Sequence, residues 1–130
     1  VVITSNSEKV LPEPFLRRCI YYHIEAPNTE ILHKIIKNRL QQNLKSLSSA
    51  FQNRCLDFFE VLRKDPSLEK QPSTGELLSW FLIMAERQEG LTESDIGGEV
   101  WCDLASHCLL KIEKDQQRLP ALVENWQKKS

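Results

Sequence analysis

Val1-Val2-Ile3-Thr4-Ser5-Asn6 opens the chain, and Leu16-Arg17-Arg18-Cys19-Ile20-Tyr21-Tyr22-His23-Ile24 follows after a proline-bearing connection; these two stretches decide the fold class. β-Branched and aromatic residues crowd both, at Val1 to Thr4 and at Cys19 to Ile24, with little alternation of polar and apolar positions. Dense runs of that kind suit strands buried on both faces, as in a parallel sheet. Between them Pro12 and Pro14 allow at most a short helical turn. The first run starts with no initiator Met and no polar lead-in, which gives it the look of a piece of a longer protein.

Beyond Ile24 the pattern changes from strand-like to helical, with the shift at Pro27. Asn28 is placed to cap a helix whose apolar positions Ile31, Leu32, Ile35, Ile36 and Leu40 follow the 3.6-residue period, with Lys34, Lys37, Asn38 and Gln41 on the other face. Ser48 or Ser49 caps a second, carrying Phe51, Cys55, Leu56, Phe58, Phe59 and Leu62 until Asp65-Pro66 stops it. A polar linker, Ser67 to Gln71, leads to Ser73-Thr74-Gly75-Glu76, a capping box. The helix it opens is apolar nearly all round and is expected to be the central one, ending at Gly90. Gly97-Gly98 precedes a further stripe from Val100 to Ile112, and Leu119 to Trp126 forms a short last segment.

A length of 130 residues, 41% hydrophobic and 27% charged, suits one globular domain and excludes disorder and collagen-like repetition. Seventeen Lys and Arg against eighteen Asp and Glu leave a net charge of -1, so no global basic field points to nucleic acid or an anionic membrane. The longest uncharged apolar stretch, Leu77 to Ala85, is far short of the roughly 20 residues of a membrane span. No leader segment opens the chain, and the expectation is a soluble, cytoplasmic protein. Cys19, Cys55, Cys102 and Cys108 form no CxxC pair and sit in apolar segments, which suits buried thiols rather than a disulfide framework or a nucleophile. Cys102, His107 and Cys108 lack a fourth ligand for zinc, and His23 and His33 have no partner at ligand spacing, so no metal site is expected. The glycines, Gly75, Gly90, Gly97 and Gly98, make no GxxxxGK[ST] loop to cradle phosphates.

Two features carry chemistry. Thr4-Ser5-Asn6 ends the first run with a short amide, at the carboxyl edge where ligands sit in open α/β sheets; Asn6 read alone is a turn residue. Arg17 and Arg18 stand just before the second run, where paired arginines read alone are solvated.

Taken together, Ile3-Thr4-Ser5-Asn6-Ser7-Glu8-Lys9, Leu11-Pro12-Glu13-Pro14-Phe15-Leu16-Arg17-Arg18-Cys19 and Ile24-Glu25-Ala26-Pro27 resemble the second half of an AAA+ ATPase module, most closely the MoxR-like branch. Lys70-Gln71-Pro72-Ser73-Thr74-Gly75-Glu76-Leu77-Leu78-Ser79-Trp80 and Leu110 to Leu119 are similar to stretches of the same family. The resemblance implies an α/β fragment, mostly helical. Residues 1–26 would hold two terminal strands of the parallel αβα sheet, and residues 27–130 a helical lid. It implies sensor 1 at Asn6 and the arginine finger at Arg18, with Arg17 second choice. ATP and magnesium would be bound by the complete protein and not tightly by this chain alone. Where the family's sensor 2 arginine stands, this chain reads Pro72-Ser73-Thr74 with Lys70 the nearest cation, so Lys70, Ser73 and Thr74 are the candidates for nucleotide contact. Its partners would be the missing N-terminal half of the core, further copies in a ring, and a protein client to be remodelled. The rival is an all-helical interaction module with no nucleotide role.

Overall fold

The computed structural model describes residues 1–4, 11–87 and 90–129. Pro12 and Pro14 leave room for one turn, α1 (Glu13–Leu16), which buries no residue. Asn28 then opens α2 (Thr29–Leu40), its side chain accepting the Ile31 N–H at 2.9 Å. A 3-10 turn at Asn43–Ser46 leads to α3 (Ser49–Lys64), where Ser48, not Ser49, is the cap. Asp65, before Pro66, turns extended and ends α3. The capping box forms at the start of α4 (Thr74–Glu86), with the Glu76 carboxylate accepting the Ser73 N–H at 2.8 Å. α4 stops short of Gly90: the Ser46 hydroxyl donates to the Ala85 carbonyl at 2.9 Å and satisfies one of its last acceptors.

Gly97, at φ 84°, makes the left-handed turn before α5 (Glu99–Leu109), and a Cβ there would strike the Gln127 side chain. The last helix, α6 (Glu113–Lys129), is far longer than the Leu119 to Trp126 segment expected from sequence. It runs through Pro120, which is exposed, while Leu119, Val123 and Trp126 pack inward. Burial of that stripe outweighs the hydrogen bond a mid-helix proline forfeits.

The core is one cluster drawn from α2 to α6. α4 packs against α5, α2 and the first 3-10 turn, while α6 lies on α3 and α5. At its centre Trp101 stacks on Trp126 at 6.0 Å and 7°, Phe58 tilts onto both, and Trp80 meets Trp101 at 5.4 Å. Their polar ends are mostly matched: the Trp126 N–H donates to Asp57 at 2.8 Å and the Trp101 N–H to the Cys55 sulfur at 3.4 Å. The Trp80 N–H has no partner among the described residues, a cost set against complete burial of the largest side chain type.

The expected sheet is not there. Among the described residues no strand forms, and the architecture is all-helical rather than α/β. Val1 to Thr4 and Cys19 to Ile24 are irregular and exposed, Tyr22 at 83% and Ile24 at 78%. Strand propensity is a measure of fit to a pleated, half-buried surface. Among the described residues no neighbouring strand completes a ladder and these side chains are exposed, so beyond the Cys19 N–H, which donates to the Leu16 carbonyl at 3.3 Å, no ladder holds their backbone. The same exposure corrects the reading of Cys19 as a buried thiol, and Cys102 is only half-buried.

Candidate functional site

Arg17 and Arg18 lie at the end of α1 in different circumstances. Arg17 caps the turn and its guanidinium holds Glu13 of the same turn at 2.7 Å, both side chains largely exposed. Such a pair is worth little, well under about 1 kcal/mol. Arg18 is exposed and makes no ion pair among the described residues. Asn6 lies outside the described residues.

Lys70, Ser73 and Thr74 are brought together by the linker from Asp65 to Pro72 and the first turn of α4. The linker is tightly held. Asp65 accepts the Ser67 N–H at 2.8 Å, Gln71 donates to the Asp65 carbonyl at 2.9 Å, and Leu68 and Pro72 are buried. Asp115 in the first turn of α6 is completely buried, and its two carboxylate oxygens accept the N–H groups of Glu69 at 2.9 Å and Lys70 at 3.0 Å. Lys114 pairs with Glu69 at 3.7 Å, and Arg118 donates to the Ser67 carbonyl. Asp115 was not singled out from sequence; there it is one of two acidic residues, with Glu113, amid Lys111, Lys114 and Arg118, and nothing in that pattern reveals a partner more than forty positions away.

Among the sequence candidates, Ser73 is already engaged, its hydroxyl capping Glu76. Thr74 is half-buried, whereas Lys70 is exposed and its ammonium makes no ion pair among the described residues. Arg63 in the last turn of α3 donates to the Pro27 carbonyl at 2.5 Å and pairs with Glu60 at 2.6 Å. The N-terminal tract therefore joins the helices at the end of α3 that continues into the Lys70 linker.

Other chemistry is poorly provided for. Burial pushes the Cys55 thiol up to about 12, outweighing the Trp101 N–H that favours thiolate, so it is no nucleophile at neutral pH. Burial also raises Cys102 and Cys108. Among the described residues no three His, Cys, Asp or Glu side chains stand close enough to hold a metal ion. His33 is half-buried, His23 exposed, and His107 contacts the Asp103 carbonyl at 2.7 Å. An open cleft of about 580 Å³, lined by Lys37, Gln41, Lys45 and Gln52, lies where α2 ends and α3 begins, at the other end of α3 from Lys70. No described helix is long and apolar enough to cross a membrane.

Comparison with known proteins adds no relative: no family model matches the chain, and neither does a curated protein or a solved structure.

Proposed function

We propose that this chain is the lid-bearing part of a MoxR-like AAA+ ATPase, a cytoplasmic ring that spends ATP on remodelling a protein client. The observation that carries the reading is the sharing of one end of the bundle by two sets of residues. The Lys70 linker with its α4 N-terminus is there, and so is the root of the tract that bears Arg17 and Arg18. A lid must present its nucleotide-facing end to the subdomain it is hinged on, and the hinge is where the two chains meet. The exposed side chains Ile20, Tyr22 and Ile24 would be the seat of the phosphate-binding half, which the chain itself lacks. ATP and magnesium would be held mainly by that half.

Arg18 is the better finger of the two arginines. Its guanidinium is not committed within its own turn, whereas Arg17 is paired with Glu13. Phosphoryl transfer is catalysed chiefly by positioning and charge neutralisation, and an always-charged planar fork reaching into a neighbouring subunit supplies the second.

The test joins the chain to the segment encoded upstream of it and measures ATP turnover. Arg18→Ala should lower turnover by roughly a thousandfold with ATP affinity nearly intact, and Arg17→Ala by clearly less. Subunits with Arg18→Ala mixed with subunits disabled in the phosphate loop should regain partial activity. The helical interaction module is favoured by the lack of any strand among the described residues. An upstream segment without a phosphate loop would decide for it, whereas an Arg17 effect larger than that of Arg18 would overturn the assignment of the finger to Arg18.

A further inference from the structure

Among the described residues Asp115 is the one charged side chain that is buried, and it serves the linker, not the bundle. A buried carboxylate is costly unless hydrogen-bonded or paired. Asp115 has no cation at ion-pair distance among the described residues; two successive backbone N–H groups, at Glu69 and Lys70, and the amino-terminal end of α6 balance its charge. Two adjacent amides reach one carboxylate only when both turn toward it, so the backbone at Glu69–Lys70 is set by Asp115. The Lys70 side chain leaves that fixed base into solvent, just before the α4 cap. Lys114 and Arg118, neighbours of Asp115 on α6, hold Glu69 and Ser67, so the whole turn depends on the first two turns of that helix.

We infer that Asp115 is a positioning residue, which fixes the linker so that Lys70 presents its ammonium to the nucleotide phosphates from the lid side. The inference rests on the ATPase reading and deepens it. It gives the absent sensor 2 arginine a replacement whose placement is governed by α6.

Two measurements test it. The first is amide hydrogen exchange, read by NMR on the full chain. In the parent the Glu69 and Lys70 amides should be protected. In Asp115→Asn, whose carboxamide keeps one acceptor and turns an NH2 toward the other amide, at least one of the two should exchange more than tenfold faster, while amides in the middle of α4 keep their rates. Unchanged exchange at both, or an equal rise throughout α4, overturns the assignment. The second is ATP turnover of the chain joined to its phosphate-loop segment. Lys70→Met should raise KM for ATP about tenfold with a smaller effect on kcat, and Asp115→Asn should do the same, the double variant being no worse than either. Normal KM in Lys70→Met overturns the role of Lys70 even if the turn loosens. The Arg18 result judges the ATPase reading independently, so the two failures can be told apart.

Discussion

Ile20-Tyr21-Tyr22-His23-Ile24 and Leu77-Leu78-Ser79-Trp80-Phe81 are both dense apolar runs, yet the first lies in water and the second lines the core. The difference is in what each conformation demands. A helix satisfies its own backbone, and α4 needs only neighbours to cover its side chains, which α2 and α5 provide. An extended segment needs a second chain for its N–H and C=O groups as well as cover for both faces. Hydrophobicity alone therefore does not bury a segment; Cys19 to Ile24 carries the composition of a core element and remains outside the core.

That contrast can be broken at several points. The largest effect should come from the aromatic centre. Trp101→Ala removes a fully buried ring that touches Phe58, Trp80 and Trp126 and should cost about 3–5 kcal/mol in chemical denaturation. Trp80→Ala belongs to the same range, and unchanged stability would make Trp80 a surface contact instead.

Thiol chemistry sharpens the contrast next. Cys19 should react with a thiol reagent in the native protein orders of magnitude faster than Cys55, which should wait for unfolding. The thiol of Cys55 is raised in the fold from 9.0 to about 12, so folding favours its protonated form. Its contribution to stability is complete below about pH 9 and is lost as pH climbs toward 12, a decline that Cys55→Ala should flatten. Equal reactivity of the two thiols would mean that the bundle opens readily.

Smaller still is the loss of a cap. Ser73→Ala should cost about 1 kcal/mol, because it deprives Glu76 of its hydroxyl acceptor and breaks half of the capping box. The smallest effect should lie in the tract: Tyr22→Ala should shift stability by less than about 0.5 kcal/mol, and residues 27–130 alone should unfold at nearly the same denaturant concentration and stay more soluble. A stability loss on either change would show that the tract packs on the helices.

Much of the bundle was legible because its signals are local. Asn28, Ser48 and Ser73 announce helix starts with atoms only a few residues away, Asp65-Pro66 announces a stop, and the 3.6-residue stripe of α3 names its own buried face. α6 was underread because Pro120 argues against a helix locally, whereas the packing of Leu119, Val123 and Trp126 is not local. For the candidate site, Lys70 and Ser73 were named only through the family resemblance, which sets them where sensor 2 would stand. Asp115 could not be named at all, since nothing near it in sequence says that it closes on Glu69 and Lys70.

The sequence by itself determined the helices from α2 to α5, their caps and the inward faces of most of them, and the absence of a phosphate-binding loop, since each follows from neighbouring residues and backbone periodicity. Only the tertiary structure decided whether Val1 to Thr4 and Cys19 to Ile24 are strands, how far α6 runs through its proline, and which carboxylate holds the Lys70 linker. A helix carries its hydrogen bonds within itself. Ladders, burial and buried-charge compensation are made between residues far apart in the chain, and they exist only once the chain has folded.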